Sequence, residues 1–321
     1  MNIVVTGATS FLGSALVKRL LQGGHRVYAV IRPGSKNRAM LPEHAQGLCV
    51  IEQDLQKLNK IEWEILEDCD AFVHFGWGGS GSTSRTQEDV QKQNVAAAVK
   101  ALEGARTLHC KRFLFGGSQA EYGMCRELMK EEQDSLPLSA YGRAKAEVYR
   151  KLSAQCRAWK EEGTADIEYI HVRIFSVYGP GDHPWTLVES CLDTFLSGGH
   201  LALSSCTQMW NFLYIDDLTE GIEKLLLHPG RLLEDGLYNL AGDAAQTRPL
   251  KVYVERMHKL CHENGSFTYG KRLPNAEGLI NLIPDISRME KGLDWHPRVS
   301  FEEGIQRIID KKENKHEDKN D

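Results

Sequence analysis

The chain lacks the features that mark membrane and secreted proteins. No run of about 18 apolar residues is present to span a bilayer, which argues against an integral membrane helix. The amino terminus begins directly with a strand-like segment instead of a charged, apolar, small-residue signal sequence. We therefore expect a cytoplasmic protein with no membrane partner.

Cysteine is present, but in no pattern that binds metal. The eight cysteines contain no Cys-x-x-Cys pair and no histidine at a spacing suited to zinc. We expect reduced, mostly buried thiols and no metal site. The net charge is −5, and no concentrated basic face accompanies it, which argues against a nucleic-acid partner.

Length and element order predict an α/β fold. With 321 residues and 41% hydrophobic content, the chain is long enough for two cores. Strand and helix patterns alternate as far as about Arg173, which predicts a Rossmann-type, doubly wound parallel sheet. Beyond that point the pattern loosens, which indicates a smaller, discontinuous C-terminal substrate domain.

The expected boundaries follow from this change of pattern. Residues 1–175 with about 208–243 form the predicted dinucleotide-binding domain, and residues 176–207 with 244–309 form the predicted substrate domain. A final helix is expected over 301–309. Residues 310–321 carry alternating charges without an apolar residue, so we predict a disordered tail.

The beginning of the chain has the pattern of a dinucleotide-binding unit. Residues 2–6 are a short apolar strand, 11–22 have helical apolar spacing that ends at Gly23-Gly24, and 27–31 are a second strand. A strand, glycine turn, helix and strand in this order are typical of proteins that bind NAD or NADP.

The turn itself runs from Thr6 to Gly13. Gly7 permits the tight turn, and Gly13 lets the helix lie close to the sheet, so that the amides at the helix start can hold a pyrophosphate. Ser10 stands where the motif usually has its middle glycine. Its small hydroxyl can itself donate to a phosphate oxygen.

The second strand ends in a basic loop. Where NAD-preferring proteins usually carry an acid for the ribose hydroxyls, this chain has Arg32, followed by Ser35, Lys36 and Arg38. An arginine can bind a 2′-phosphate bidentately, so the loop favours NADP over NAD. The alternative is a solvated basic loop without a ligand.

Tyr141 and Lys145 stand four residues apart, far along the chain from the glycine turn. On a helix this spacing gives about 6 Å of rise, and both side chains emerge from the same face. An ammonium near a phenol favours the phenolate, which brings proton transfer within reach of neutral pH. We predict a catalytic dyad, although an isolated pair at this spacing would more often belong to an ordinary amphipathic helix.

With these motifs in view, the chain resembles the extended short-chain dehydrogenase/reductase superfamily. Within it, the chain is similar to the NAD-dependent epimerase/dehydratase family, which acts mainly on nucleotide sugars. The similar segments follow one another along nearly the whole chain: residues 54–55, 73–76, 113–118 with 122–123, 173–181, 212–218, 238–240 and 285–287 with 292–295.

The resemblance implies roles for individual residues. Ser118, Tyr141 and Lys145 would be catalytic, with Tyr141 transferring the proton, Lys145 tuning it, and Ser118 holding the substrate oxygen. The implied cofactor-binding residues are Gly7, Thr9, Ser10, Phe11, Leu12, Gly13, Arg32, Ser35, Asp54, Leu55, Phe75, Gly76 and Asn94, together with Tyr141 and Lys145. For Ser118 alone, the alternative is a strand-end serine that satisfies a backbone group.

The residues after Ser118 depart from the dehydratase pattern. Dehydratases carry Asp and Glu there, whereas this chain has Gln119 and Ala120, which provide neither an acid nor a base. Glu121 lies one position too late, unless an altered loop brings it round. We therefore do not expect a 4,6-dehydratase.

Another departure concerns the substrate diphosphate. Trp210 occupies a position where many family members have an arginine that grips the diphosphate. Its indole either stacks on a base or sugar, or is simply a core residue. Arg288 and Lys291 are candidates to supply the missing charge, although both also fit a solvated helix.

A glycine-rich stretch over 75–82 follows the fourth strand, where the family more often has small alanines. It either closes over the sugar, with Trp77 and Arg85 as contacts, or is a flexible connection. Ser176 stands where an asparagine often touches the substrate. The candidate substrate residues are therefore Trp77, Arg85, Gln119, Ser176 and Trp210, and His183 is expected to be structural.

Two enzymatic functions remain open. A 4-keto-6-deoxysugar reductase consumes NADPH and is favoured by Arg32, whereas a nucleotide-sugar 4-epimerase keeps its NAD. A non-catalytic dinucleotide-binding sensor or scaffold is the alternative from another class, and the Ser118, Tyr141 and Lys145 set argues against it. The resemblance also implies a homodimer through helices at about 87–108 and 141–160.

Overall fold

The computed structural model of the protein describes residues 1–63, 66, 68–81, 83–125, 127–273 and 278–317. Its centre is a seven-stranded parallel sheet. The strands of this sheet are β1 (Asn2–Thr6), β2 (Arg26–Ile31), β3 (Leu48–Glu52), β4 (Ala71–His74), β5 (Arg112–Gly116), β6 (Glu168–Ile174) and β11 (Leu237–Leu240).

The strand order across the sheet is β11-β6-β5-β4-β1-β2-β3. Strand addition therefore reverses direction between β1 and β4, which opens a crevice at the carboxyl ends of these strands. The predicted Rossmann-type, doubly wound sheet is confirmed.

Helices flank the sheet and build the region beyond it. They are α1 (Phe11–Gln22), α2 (Glu88–Thr107), α3 (Ala140–Glu161), α4 (Leu187–Leu196), α5 (Ile215–Leu227), α6 (Leu250–Leu260), α7 (Ser287–Leu293) and α8 (Phe301–Glu317). No helix in the described part of the chain is long and apolar enough to cross a bilayer.

Short strands pair outside the central sheet. They are β7 (Ser176–Tyr178), β8 (His200–Ala202), β9 (Met209–Trp210), β10 (Phe212–Tyr214), β12 (Arg248–Pro249) and β13 (Ser266–Thr268). β7 pairs with β10, β9 with β12, and β8 with β13. β13 follows α6 in the chain and is a strand that the sequence pattern does not indicate.

Apolar side chains cover both faces of the central sheet, as continuous apolar strands require. One cluster runs from Leu16 of α1 through Leu218 of α5 to Trp295. The other packs Leu102 of α2 and Val148 of α3 against the opposite face. The first cluster includes residues of both predicted domains, and the domain boundaries stay a prediction.

The last helix is longer than the sequence indicates. It continues beyond Ile309 to Glu317, so residues 310–317 of the expected tail are helical, while 318–321 lie outside the described residues. Lys312 Nζ donates to Glu189 Oε2 at 2.5 Å and Asp193 Oδ1 at 2.7 Å on α4. These ion pairs with α4 stabilise the last turns of α8. The pattern of apolar residues in the sequence gives no sign of them.

Candidate active site

A cavity of about 400 Å³ lies at the carboxyl ends of the central strands. It is lined by Ser10, Phe11, Leu12, Phe75, Trp77, Ser80, Arg85, Gly116, Gly117, Ser118, Gln119, Tyr141, Lys145, Ile174, Phe175, Ser176, Val177, Asp182, His183 and Trp210. The three predicted catalytic residues and all five candidate substrate residues are therefore brought together with the start of α1. This position is the usual ligand crevice of an open α/β sheet.

A larger depression of about 1150 Å³ lies elsewhere, beside the C-terminal half of α3. Two ion pairs, Arg231–Asp166 and Arg288–Asp235, lie among its lining residues. It contains none of the predicted catalytic residues. Chemistry, not size, therefore identifies the smaller cavity as the candidate site.

Tyr141 and Lys145 lie in the first turns of α3. Ser139 caps this helix, with its Oγ accepting from Gly142 N at 3.1 Å. Both side chains face the cavity, and the Lys145 ammonium lies 5.6 Å from the Tyr141 ring centroid. Lys145 Nζ donates to Gly116 O at 2.6 Å, which ties the helix to the end of β5. Tyr141 and Lys145 therefore lie on the same face of α3, as their spacing predicts.

Burial changes the pKa of Lys145 strongly. Loss of solvent is the main cause that lowers the pKa of Lys145, to about 7. The negative charge of Glu121 opposes this shift, and the positive charge of Arg85 adds to it. Arg85 Cζ lies 4.3 Å from the Tyr141 ring centroid. The dyad therefore contains a cation whose protonation changes near neutral pH.

Ser118 follows β5 and caps a short 3₁₀ helix over Gln119–Glu121. Its Oγ accepts from Ala120 N at 3.2 Å, and the side chain also lines the cavity. The backbone hydrogen bond of the alternative interpretation is present, and the catalytic role of Ser118 stays a prediction. Because the oxygen accepts from the backbone, its own proton is left to donate toward the cavity.

The glycine turn fits a dinucleotide. A Cβ on Gly7 would lie 2.7 Å from Gly76 N, and one on Gly13 would lie 2.2 Å from Gly7 O. Ser10 Oγ accepts from Gly13 N at 3.0 Å and so caps α1, a role that the motif alone does not predict. The close approach of backbone to backbone leaves the helix start open to a pyrophosphate.

The other predicted cofactor residues do not line this cavity: Gly7, Thr9, Gly13, Arg32, Ser35, Asp54, Leu55, Gly76 and Asn94. Thr9 Oγ1 and Ser35 Oγ lie 3.1 Å apart and join the basic loop to the glycine turn. Arg32 is exposed at the end of β2.

Asp54 and Asn94 have structural partners. Asp54 caps a 3₁₀ helix by accepting from Gln56 N at 2.8 Å. Asn94 accepts from Gly78 N at 2.9 Å and donates to Gly78 O at 2.7 Å. Asn94 therefore holds the glycine-rich stretch, of which Ser82 lies outside the described residues.

Gln119 Oε1, an acceptor, and Trp210 Nε1, a donor, are buried without a hydrogen-bond partner among the described residues. Both side chains line the cavity. Trp77 is fixed instead, since its Nε1 donates to Gln91 Oε1 at 2.9 Å.

Asp182 is a cavity residue that sequence reasoning missed. Burial raises the pKa of its carboxyl to about 6, against the stabilising bond that Oδ1 accepts from His183 N at 2.7 Å. His183 also lines the cavity, and its ring stacks on Trp185 with centroids 4.3 Å apart. The sequence does carry a signal for Asp182, namely an acidic residue between a glycine and a histidine in the loop after β7.

Arg288 and Lys291 do not supply the missing charge, so that expectation is wrong. Arg288 is bound by Glu132 at 2.7 Å and Asp235 at 2.8 Å. Lys291 lines a different surface depression. Glu121 is likewise absent from the cavity lining, because its carboxylate is buried behind Ser118.

Comparison with known sequences places the chain in a family. A sequence profile of the NAD dependent epimerase/dehydratase family matches residues 3–241. The CDP-abequose synthase of Salmonella muenchen is 23% identical over 317 residues, covering 97% of this chain and 98% of that protein. The UDP-glucose 4-epimerase of Lactobacillus helveticus is 24% identical, covering 93% and 92%.

Solved structures share the fold. The UDP-glucose 4-epimerase of Thermotoga maritima, solved with UDP-glucose, has a TM-score of 0.85 at 21% identity and covers 98% of this chain and 99% of that chain. The Thermus thermophilus UDP-glucose 4-epimerase, solved with NAD, has a TM-score of 0.83 at 19% identity, covering 97% and 98%. The chain therefore belongs to the NAD dependent epimerase/dehydratase family and is an enzyme of the extended short-chain dehydrogenase/reductase type.

Proposed function

We propose that the protein transfers hydride at one carbon of a nucleotide-linked sugar, with 4-epimerisation as its reaction. The observation that carries this proposal is the meeting of Ser118, Tyr141 and Lys145 with the start of α1 around one cavity. Relatives named as UDP-glucose 4-epimerases support the reaction and the substrate class.

Each catalytic side chain of this cavity has its own role in the proposed reaction. A nicotinamide cofactor, when bound, supplies the hydride acceptor and donor. Tyr141 takes the proton of the sugar hydroxyl as the C–H bond breaks, and later returns it when the C–H bond re-forms on the opposite face. Ser118 donates to the oxygen that alternates between alcohol and carbonyl. Lys145 in its charged form favours the phenolate of Tyr141.

Substrate recognition is assigned to the polar atoms that lack partners. Gln119 Oε1 would accept from a sugar hydroxyl, and Trp210 Nε1 would donate to a substrate oxygen. An unpaired buried polar atom costs about 1–3 kcal/mol, so a ligand that pairs with it gains affinity. Trp77, Arg85 and Ser176 complete the proposed contacts around the cavity.

A 4-keto-6-deoxysugar reductase is the second candidate, and Arg32 is the observation that favours it. The exposed guanidinium at the end of β2 suits the 2′-phosphate of NADP, the cofactor that reductases consume. We therefore propose NADP as the preferred cofactor if the reaction is a reduction. The homodimer and the cytoplasmic location expected from the sequence stay predictions.

One experiment separates these reactions. Purified protein is mixed with UDP-glucose, UDP-glucuronic acid and 4-keto-6-deoxy nucleotide sugars, each with NAD, NADH or NADPH. A product of unchanged mass without net change at the reduced nicotinamide band supports epimerisation. Stoichiometric loss of NADPH selects the reductase, and cofactor binding without turnover of any substrate contradicts both.

A further inference from the structure

A buried ion group lies directly behind the proposed catalytic serine. The carboxylate of Glu121 has no solvent exposure and accepts from Ser118 N at 2.8 Å. It also accepts from His171 Nε2 at 2.9 Å and from Arg173 Nε at 3.1 Å. Both basic residues come from β6, so the carboxylate joins two neighbouring strands at their carboxyl ends.

The protonation of this group follows from its contacts. Attraction to His171 and Arg173 outweighs burial and lowers the pKa of Glu121 to about 2. Burial lowers the pKa of His171. Its Nε2 donates to the Glu121 carboxylate, and its Nδ1 lies 2.8 Å from the Tyr169 hydroxyl. The ionised carboxylate of Glu121 therefore lies beside the Arg173 guanidinium.

The turn over residues 116–118 lies between Glu121 and the catalytic lysine. A Cβ on Gly117 would lie 2.4 Å from His171 Nε2 and 2.6 Å from Glu121 Oε1, so the backbone packs directly against the ion group. On the cavity side, Lys145 Nζ donates to Gly116 O. Ser118 N is bound to Glu121 at the other end of the same turn.

We propose that Glu121 is a positioning residue for the reaction, which holds the turn 116–118 so that Ser118 and Lys145 face the substrate together, and which supplies a buried negative charge next to Lys145. This inference rests on the proposed function. His171 and Arg173 are its support, because they fix the carboxylate by donating to it.

The charge of Glu121 has a consequence for pH dependence. Glu121 is the neighbour that raises the pKa of Lys145 against the lowering effects of burial and Arg85. Without the negative charge, the ammonium loses its proton at lower pH. The other titratable or charged groups around the two residues are His74 on β4, Tyr122 and Glu131 beside Arg173, and Tyr149 and Tyr169 against His171.

Two substitutions of Glu121 separate the effect of its negative charge from the effect of its hydrogen bond to Ser118 N. Glu121→Gln keeps an oxygen for Ser118 N but removes the charge, so the alkaline limb of the pH profile should move down by on the order of one pH unit. Glu121→Asp keeps the charge but is one methylene shorter. Its kcat should fall roughly tenfold, since misplaced catalytic groups lose rate, while its alkaline limb stays near that of the wild type.

Glu131→Gln is the matched control. Glu131 is also buried and accepts from Asn239 N at 2.9 Å, but it makes no hydrogen bond to Ser118 or Lys145 among the described residues. A purely structural role predicts that both Gln variants lose stability and leave the pH profile in place. An unmoved alkaline limb in Glu121→Gln, or an equal shift in Glu131→Gln, overturns the proposal.

A measurement without substrate distinguishes a failure of this inference from a failure of the proposed function. NMR of protein labelled with ¹³C at lysine Cε reports the titration of Lys145, with Lys145→Met assigning its signal. A lowered pKa in folded Glu121→Gln supports the inference even where no sugar is turned over, which would contradict the function alone. Turnover with an unchanged Lys145 titration in that variant contradicts the inference alone.

Discussion

The pKa of the Lys145 side chain depends on the residues that surround it. Its ammonium lies 3.7 Å from the Trp77 ring centroid and 4.6 Å from that of Phe115. Aromatic faces replace only part of the lost hydration. The pKa of Lys145 is consequently lowered to about 7, with burial as the main cause. The lysine is charged below that pH and neutral above it.

Removing the proposed proton-transfer group should stop the reaction. Tyr141→Phe deletes one hydroxyl from a buried position and leaves the ring against Trp77 in place. We expect kcat to fall by at least about a hundredfold, the usual scale for a lost general acid–base group. Steady-state turnover of the substrate found above measures this.

Tyr149→Phe is the control for this change, because Tyr149 lies on the same helix and donates to Asp235 O away from the cavity. It should keep at least half of the wild-type rate. Turnover near that of the wild type in Tyr141→Phe would remove the proposed role of the phenol.

At the scale of elements, the turn between β1 and α1 depends on two glycines. Gly7 has a φ of 67° and lies against the backbone after β4, while Gly13 lies against Gly7. Backbone atoms cannot move aside as a flexible side chain can. The turn therefore has no space for a methyl group at either position.

Gly13→Ala should therefore weaken cofactor binding. The added Cβ would meet Gly7 O, and overpacking of this kind costs about 1–3 kcal/mol. We expect at least about a tenfold loss of affinity for NADH or NADPH, measured by nicotinamide fluorescence. Gly292→Ala on α7 is the control, because its Cβ meets nothing within 4 Å. Equal affinities in the two variants would contradict the packing argument.

Arg32, in the loop after β2, is the proposed contact for the 2′-phosphate of NADP. If Arg32 binds a 2′-phosphate, Arg32→Ala should weaken NADPH binding by roughly tenfold or more, the value of a charge-assisted hydrogen bond, and leave NADH binding unchanged. Titration with both cofactors tests this. Lys18→Ala, an exposed cation on α1, should change neither affinity. Loss of both affinities in Arg32→Ala would argue against a phosphate contact.

At the scale of the whole molecule, buried histidines link stability to pH. His74 lies at the end of β4 in the middle of the sheet, and its Nδ1 is 2.7 Å from Thr6 Oγ1. Burial lowers the pKa of His74 to about 3. The unfolded chain therefore binds a proton below pH 6.5 that the folded protein does not, and stability is lost as the pH falls from 6.5 toward 3.

His74→Gln should flatten this dependence. Between pH 7 and 5 the wild type should lose about 2 kcal/mol more of its free energy of unfolding than the variant, at about 1.4 kcal/mol per pH unit below 6.5. Urea unfolding at several pH values measures the difference. His296→Gln, at an exposed histidine, should leave the wild-type slope, and parallel curves for His74→Gln and wild type would refute the linkage.

Much of the candidate active site could be predicted from the sequence because the side chains that it brings together depend on local spacing. Four residues on a helix place Tyr141 beside Lys145, and a glycine turn between a strand and a helix marks the crevice, whatever surrounds them. Parallel strands also end at one edge of the sheet, which brings segments that are distant in the chain together. The family and the Rossmann fold followed from the same patterns.

Other properties were decided only by the tertiary structure. Arg288 is bound by Glu132 and Asp235, and residues 310–317 are helical beside α4; both depend on partners far away in the chain. Burial raises the pKa of Asp182, whereas attraction to His171 and Arg173 lowers the pKa of Glu121. Spacing along a chain encodes which face a side chain takes, but solvent exclusion and charge pairing arise only when separate elements pack together.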